Sequence, residues 1–311
     1  MRVIFMGTPE FSVRALEALI EAGHHICLAV TQPDKPRGRG KAMQFPPVKE
    51  AALKHDIPVF QPVKIRQPDC IEELRKYDAD VIVVIAFGQI LPREILGMTP
   101  YGCINVHASL LPKYRGAAPI QWAILQGETQ TGVTTMQMDE GLDTGDMIQK
   151  AVVPISRDET GDSLHDKLAE TGARLLVKTL KALEEGTAVF EKQGESPTIY
   201  AKMLDKKMGN IDWTKPASEI ERLVRGLNSW PGAYTHWDEK TVKIWKAKAR
   251  EENPSEALPG TVTAVEKDCI CVQTGKGVLA VYELQIPGKK RMETSAFLRG
   301  YTLREGTVLK P

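Results

Sequence analysis

The sequence lacks a long apolar run at its start, a paired set of cysteines and an excess of charge of one sign. Residues 3–6 form an apolar run of four before Gly7 and Pro9, too short for the core of a signal peptide or a membrane span. Cys269 and Cys271 have no second pair or nearby histidine at zinc-ligand spacing. Five cysteines form an odd, scattered set: Cys27, Cys70, Cys103, Cys269 and Cys271. We therefore expect a cytoplasmic protein with reduced thiols, no structural metal and no membrane partner.

The balance of charge differs between the two ends of the chain. The formal net charge of the 311 residues is only +1, but residues 206–311 hold 18 Lys and Arg against 13 Asp and Glu. A hydrophobic content of 42% and a mean hydropathy of -0.25 are typical of folded, water-exposed proteins and exclude a mainly disordered chain. The length predicts two domains, and the second is the basic one.

The first half alternates apolar strands with helical patterns, which is typical of a parallel sheet with crossover helices. Thr8 is a plausible N-cap for the first helix, with Pro9 at its first position. The predicted strands are residues 3–6, 26–30, 80–86 and 103–106. Residues 80–86 form an unbroken β-branched run, as expected of a central strand buried on both faces.

The second half changes from helix to short β segments. A long amphipathic helix runs from Asp162 to Gly186, and a polar stretch without clear period follows it. After a short helix that carries Ile220, Leu223, Val224 and Leu227, short β-type segments separated by Gly, Pro and Asp predict a small barrel. We divide the chain into a sheet domain at residues 1–189, a linker at 190–208 and a barrel domain at 209–311.

The most informative candidate site follows the strand at 103–106. The first strand is followed by only one glycine of a G-x-G-x-x-G pattern, so we expect no dinucleotide cofactor. Asn105 and His107 are two residues apart in an extended segment and project to the same side. An amide donor beside an imidazole suits acyl transfer to an amine, which needs an oxyanion donor and a proton carrier. The simpler alternative is a capping asparagine and a histidine at the edge of the core.

An acidic loop at residues 139–146 could supply a third group. It holds four carboxylates in eight positions, and any of them could orient or charge the imidazole if the fold brings it there. The alternatives are a solvated acidic turn or a calcium loop, although the spacing does not fit an EF-hand.

Specific motifs carry a family resemblance. The segment NVHASLLPKYRGAAPIQW at 105–122, together with DEGLDTGD at 139–146, resembles the 10-formyltetrahydrofolate-dependent formyltransferases. The similarity also covers MGTPEF at 6–11, TQPDKPRGRGK at 31–41, AFGQILP at 86–92, SWPGAYT at 229–235 and PGKKRM at 287–292. It therefore extends along the whole chain and is closest to the members that formylate methionyl-tRNA.

The resemblance implies a fold and a set of site residues. The fold is a Rossmann-like parallel-sheet α/β domain followed by an OB-like β-barrel. Catalysis falls to Asn105, His107 and Asp143, with the asparagine as oxyanion donor and the aspartate holding the imidazole or taking a proton through water. The donor is 10-formyltetrahydrofolate, which is already activated and needs no metal. Its expected binding residues are Gln89, Ile90, Leu91, Ser109, Leu110, Leu111 and Pro112.

The acceptor amine must be inferred separately, because glycinamide ribonucleotide and sugar-nucleotide formyltransferases share the motif. A basic loop at residues 33–49 and the basic C-terminal domain favour the initiator methionyl-tRNA, whose phosphates such surfaces suit. The expected tRNA contacts are Arg37, Arg39, Lys41, Lys206, Lys289, Lys290 and Arg291. The alternatives are a sugar-nucleotide acceptor, or a folate- or RNA-binding protein without catalysis. We expect a monomer.

Overall fold

A computed structural model describes residues 1–37, 42–251 and 256–311. The elements of the first part are β1 (Arg2–Gly7), α1 (Glu10–Glu21), β2 (His25–Val30), β3 (Lys35–Arg37), β4 (Ala42–Gln44), α2 (Pro47–Lys54), β5 (Val59–Phe60), α3 (Pro68–Arg75), β6 (Val81–Ile85), α4 (Arg93–Leu96), β7 (Cys103–His107), α5 (Pro119–Leu125), β8 (Gln130–Gln137), β9 (Met147–Pro154) and α6 (Gly161–Glu184). Those of the second part are a 3-10 turn (Lys206–Gly209), α7 (Ala217–Gly226), β10 (Ala233–Trp237), β11 (Lys240–Arg250), β12 (Val262–Val265), β13 (Ile270–Gln273), β14 (Val278–Gln285), β15 (Met292–Glu293) and α8 (Thr294–Gly300).

The chain divides into two compact units. Unit 1 consists of residues 1–119, 130–154 and 165–201, and unit 2 of residues 120–129, 155–164 and 202–311. Residues 120–129 and 155–164, from the middle of the chain, therefore belong with the C-terminal unit. A division into domains that are continuous in sequence does not include this exchange. The linker boundaries at 190 and 208 stay a prediction.

A seven-stranded sheet forms the centre of unit 1, in the order β5-β2-β1-β6-β7-β8-β9. The strands from β5 to β7 run parallel, whereas β8 and β9 run antiparallel. All five residues of β6 are buried, as predicted for a central strand covered on both faces. The predicted parallel-sheet α/β domain is confirmed, with an antiparallel extension.

The start of α1 differs from the prediction. The N-cap is Pro9 rather than Thr8, and no side chain caps the helix. The Thr8 hydroxyl instead donates to Phe87 O at 3.2 Å and accepts from Gln32 N at 3.3 Å. Thr8 was wrongly assigned because it resembles a cap residue in sequence, whereas in the fold it ties the end of β1 to the segments that follow β6 and β2.

Helix α6 packs its apolar stripe on the sheet of unit 1. Its buried residues there include Leu168, Leu175, Leu176, Leu180 and Leu183, each of which contributes about 1.5–3 kcal/mol by leaving water. A Cβ at Gly172 would lie 3.0 Å from Val106 Cγ1, so the helix approaches β7 closely at this position. No helix among the described residues is both long and apolar enough to cross a membrane.

Unit 2 contains an antiparallel sheet in the order β10-β11-β14-β13-β12, with β15 beside β14. The C-terminal tail closes it, because Lys310 bridges to His236 in β10 and Val308 bridges to Thr261, which precedes β12. Trp213 is 2% exposed in the core and donates from Nε1 to Thr235 Oγ1 at 2.9 Å. The predicted small barrel is confirmed, and α7 covers part of its core with Ile220 and Val224.

All five cysteines are free and buried, as predicted. Within the described ranges, one group of side chains has the spacing of a metal site, Glu266 with Cys269 and Cys271. The guanidinium of Arg250 already binds all three: Nη1 donates to Glu266 Oε1 at 2.7 Å and to Cys271 Sγ at 3.4 Å, and Nη2 to Cys269 Sγ at 3.3 Å. A metal cation would be repelled by this guanidinium, so the group is an arginine-centred cluster.

This cluster predicts a pH-dependent contribution to stability. Hydrogen bonds from Arg250, and then from the two thiols, lower the pKa of Glu266 from 4.5 to about 2. The stabilisation is therefore complete above about pH 4.5 and disappears as the pH falls towards 2, where the folded protein also binds the proton. We expect Glu266→Gln to lower the free energy of unfolding at pH 6, and the difference from wild type to shrink at pH 3 in urea titrations. Glu305→Gln, at an exposed position of the same unit, is the control, and a difference independent of pH would contradict the assignment.

Candidate active site

The site is built on β7, which presents Asn105 and His107. This strand pairs in parallel with β6, Val84 opposite Asn105, and antiparallel with β8, Thr134 opposite His107. Asn105 is half-buried and His107 is 6% exposed. Alternation along the strand places both side chains on the same side of the sheet, as predicted.

Both ring nitrogens of His107 have a partner. Nε2 lies 3.0 Å from Tyr114 O and Nδ1 lies 3.6 Å from Asp143 Oδ1. A carbonyl oxygen only accepts, so Nε2 carries a proton and donates it to Tyr114. The remaining nitrogen, Nδ1, faces a carboxylate oxygen at ion-pair distance. The His107 ring is therefore oriented at both of its nitrogens.

Asp143 reaches His107 from the acidic loop. Because β8 runs antiparallel to β7, it ends beside Cys103, where Met138 N donates to Cys103 O at 2.8 Å, and the loop has to turn back towards His107. The backbone of Asp143 adopts a left-handed conformation, with φ of 56°. Its second oxygen, Oδ2, accepts from Gly116 N at 2.9 Å. Of the four acidic residues predicted as candidates, the fold brings Asp143 to the imidazole.

The other acidic residues of the loop have different positions. The Asp139 carboxylate accepts from Gly141 N at 3.0 Å and from Thr144 Oγ1 at 2.7 Å, which closes the turn on itself. Glu140 is exposed and faces an equally exposed Arg93 at 3.6 Å. Asp146 accepts from Gln137 N through its backbone carbonyl at 2.9 Å. The loop is thus a structured turn in which Asp143 is the carboxylate directed at His107.

The predicted folate segment after β7 is firmly anchored. Ser109 is buried, and its hydroxyl donates to Lys113 O at 2.6 Å. Thr134 Oγ1 donates to Ser109 O and accepts from Leu111 N, at 2.7 and 3.1 Å. Leu111 is 1% exposed and packs with Met136 and Met147, whereas Leu110 and Pro112 are half-buried. The segment offers backbone and shape to a ligand rather than a free hydroxyl.

The predicted segment after β6 has a similar character. The Gln89 side chain donates from Nε2 to Pro62 O at 3.0 Å and accepts from Ile65 N at 2.7 Å, so it holds a neighbouring loop. Leu91 is 5% exposed and belongs to the core, while Ile90 is 75% exposed. Ile90 is therefore the member of this trio that offers an open apolar side chain.

The predicted tRNA contacts are distributed over both units. In unit 1, Arg37 ends β3, which pairs with β4, while Arg39 and Lys41 lie outside the described residues. In unit 2, Lys206 starts the 3-10 turn and is exposed, as are Lys289 and Lys290 between β14 and β15. Arg291 is paired with Glu283, and its guanidinium lies 5.5 Å from the centre of the Trp245 ring. These positions are given by the structure, and their role in binding stays a prediction.

Sequence reasoning missed the groups that hold the site together. Tyr114 contributes a backbone carbonyl, which no residue type reveals, and its own N–H donates to Thr198 Oγ1 at 2.8 Å. Gln193 donates to the carbonyl of Asp143 at 2.9 Å. Thr198 lies in the predicted linker, and so does Gln193. The hydrophobic pattern of the linker has no period, so the sequence carries no signal of these contacts.

Known proteins resemble this chain over both of its parts. Residues 1–180 match the family model described as formyl transferase, and residues 203–302 match that described as formyl transferase, C-terminal domain. The chain belongs to the formyl transferase family. Relatives named methionyl-tRNA formyltransferase include those of Agathobacter rectalis, 60% identical over 99% of both chains, and Lachnospira eligens, 54% identical over 99% of both chains. The family resemblance inferred from the motifs is confirmed.

Solved structures share the fold of this formyl transferase. WlaRD, a sugar 3N-formyl transferase solved with dTDP and 5-N-formyl-THF, has a TM-score of 0.68 and 19% identity over 93% of this chain and 99% of its own. HypX from Aquifex aeolicus, in complex with tetrahydrofolic acid, has a TM-score of 0.61 and 21% identity over 96% of this chain and 47% of its own. At these identities the comparisons support the fold alone.

The geometry around Asp143 predicts the effect of neutralising it. In Asp143→Asn the amide oxygen keeps the bond from Gly116 N, so an amide NH2 faces His107 Nδ1 in place of the carboxylate oxygen. We expect formyl transfer to slow by roughly two to three orders of magnitude, the scale of losing a catalytic charge or proton carrier. The ring-nitrogen NMR shifts of His107 should change as well.

Glu140→Gln is the matched control, because it removes the same charge from an exposed position in the same turn. It should keep both the rate and the histidine shifts of wild type. Unchanged His107 shifts in Asp143→Asn would contradict the contact between the two residues.

Proposed function

We propose that this protein transfers the formyl group of 10-formyltetrahydrofolate to the α-amine of initiator methionyl-tRNA, to give formylmethionyl-tRNA for translation initiation. The observation that carries the proposal is the orientation of His107 by Asp143 and Tyr114 beside Asn105. The names of full-length relatives support the acceptor. Such a role belongs in the cytoplasm, and we expect the enzyme to act as a monomer.

The transfer begins with attack of the methionyl amine on the formyl carbon. A new bond forms between the amine nitrogen and that carbon, and the carbonyl electron pair moves onto oxygen. Asn105 donates a hydrogen bond to this oxyanion, the largest charge that develops in the reaction. A free α-amine has a pKa of about 7.7–8.0, so its deprotonation is a smaller demand than the charge on oxygen.

Collapse of the tetrahedral species requires movement of one proton. The amine gives up a proton, the bond from carbon to N10 of the folate breaks, and N10 gains a proton as tetrahydrofolate leaves. His107 carries the proton or hydrogen-bonds the oxyanion through Nδ1, because Nε2 is bonded to Tyr114 O, and Asp143 stabilises the charged ring or takes the proton through water. The ion-pair distance of 3.6 Å between these two side chains supports a direct partnership.

The folate donor is proposed to bind across the segments that follow β6 and β7. These strands are neighbours in the sheet, so Gln89–Leu91 and Ser109–Pro112 leave the same edge. The ends of parallel strands are where open α/β sheets bind ligands. The side chains of Gln89 and Ser109 are bonded within the protein, which supports recognition of the pterin by backbone groups and by exposed apolar surface such as Ile90.

The catalytic assignment is tested by removing each group. We expect Asn105→Ala and His107→Ala to leave folate binding largely intact and to reduce turnover by roughly two to three orders of magnitude, because each removes one oxyanion donor or one proton carrier. Turnover is measured on methionyl-tRNA and folate binding by fluorescence. Near-normal turnover of either variant would contradict its role, and full activity of both would favour a different centre.

The acceptor is tested with the basic loop. Methionyl-tRNA, glycinamide ribonucleotide and an amino-sugar nucleotide are assayed as acceptors, and we expect formylation of the tRNA alone. An Arg39→Ala, Lys41→Ala double variant should raise KM for methionyl-tRNA and reduce the salt slope of its binding by somewhat under one unit for each lost phosphate contact, since fewer counterions are released.

Lys178→Ala, which removes a cation from an exposed position on α6, is the control for nonspecific charge. A double variant with wild-type affinity and salt slope, together with no loss on removal of residues 209–311, would contradict the tRNA acceptor. Formylation of the sugar nucleotide, with its weak salt dependence, would establish the alternative, and no transfer to any amine would favour a binding protein.

A further inference from the structure

The segment of residues 189–201, which we call the strap, lies along the active site of unit 1. The strap contains no helix, and its backbone is bonded at both ends: Met147 and Glu191 exchange two hydrogen bonds of 2.8 Å, and Ala201 N donates to Arg115 O at 2.8 Å. Most of its side chains are exposed, but those of Gln193 and Thr198 are partly buried against the loops around His107.

Gln193 uses both ends of its amide. Nε2 donates to Asp143 O at 2.9 Å and to Gly145 O at 2.7 Å. Oε1 accepts from two nitrogens of Arg115, Nε at 2.9 Å and Nη2 at 2.8 Å. The amide cannot be reversed, because its NH2 would then face the arginine donors and its oxygen two carbonyl oxygens.

Arg115 links this amide to both partners of His107. It stands between Tyr114, whose carbonyl accepts from His107, and Gly116, whose N–H donates to Asp143. Its guanidinium also donates to Gly194 O at 2.8 Å, so it is fixed to two consecutive residues of the strap. One residue thus joins the strap to the backbone on either side of the imidazole.

Asp143 depends on such support because its left-handed backbone is rarely adopted by residues other than glycine. The turn closes internally through Asp139, but those bonds do not reach the carbonyl of Asp143. Gln193 holds the carbonyls of Asp143 and Gly145, and so fixes the peptide plane between Asp143 and Thr144 and the one between Gly145 and Asp146. The direction of the Asp143 carboxylate follows from the direction of these peptides.

We propose that Gln193, held by Arg115, is a positioning residue that keeps the Asp143 carboxylate directed at His107. The proposal rests on the proposed role of Asp143 in formyl transfer. Gln193 touches neither the imidazole nor the reacting atoms, so its effect is exerted on the rate of the chemical step and on the orientation of the ring, with substrate binding left intact.

The decisive variant is Gln193→Glu, which keeps the length and the acceptor for Arg115 but replaces the donating NH2 by an oxygen that is repelled by two carbonyls. We expect kcat to fall by roughly ten- to a hundredfold, the scale of a displacement of about 1 Å at a catalytic group, with both KM values within about twofold of wild type. Glu195→Gln, the reverse exchange at an exposed strap position, is the matched control and should keep wild-type kcat. A KM effect with unchanged kcat would overturn the proposal.

A double-mutant cycle separates positioning from a general effect on the fold. In an Asp143→Ala background, Gln193→Glu should cause no further loss of kcat, because both changes act through the same carboxylate. Losses that multiply would overturn the proposal. Gln193→Met, which removes the hydrogen bonds of the amide without adding a charge, replaces the glutamate variant if the latter fails to fold.

The ring-nitrogen NMR shifts of His107, assigned with His107→Gln, give a readout that needs no activity. Gln193→Glu should move them in the direction seen for Asp143→Asn, and unchanged shifts would overturn the positioning role. Absence of formylation by the wild-type protein would instead contradict the proposed function, while the NMR comparison would still decide whether Gln193 directs Asp143.

Discussion

The change from parallel to antiparallel pairing at β7 is the constraint on which the active site depends. β7 pairs in parallel with β6 on one side and antiparallel with β8 on the other. The parallel side places the segments after two strands at one edge of the sheet, where a ligand can bind. The antiparallel side sends the acidic loop away from that edge, and the loop has to turn back before Asp143 can face His107.

Much of the fold could be predicted from the sequence because the signals were local. Alternating strand and helix patterns, the fully apolar run of β6 and the leucine stripe of α6 follow from periodicity and burial. The wrong assignment at Thr8 shows the limit of such local signals. A threonine before a proline satisfies the cap pattern. In the fold, however, its hydroxyl forms hydrogen bonds with Gln32 N and with Phe87 O, the latter 79 residues away.

The candidate site was predicted in its residue types and not in its supports. Asn105 and His107 were identified by chemistry and Asp143 by the family motif, and the structure brings His107 and Asp143 together. Tyr114 acts through a backbone atom, and Gln193 acts from a polar segment without period. Neither contribution has a pattern in sequence, because both arise from contacts between segments that only the tertiary fold makes neighbours.

The strap is held by fewer bonds than the sheet beneath it. Its bonds to the site join residues 50 and 84 positions apart, whereas the sheet beneath is held by continuous strand ladders. A segment with few buried apolar contacts and an exposed backbone opens at a lower free energy than the core. Transient opening of the strap would therefore remove the hydrogen bonds from Gln193 to Asp143 and from Tyr114 to Thr198 while the sheet remains folded. If Gln193 positions Asp143 as proposed, heat or mild denaturant would reduce activity before any global unfolding is visible.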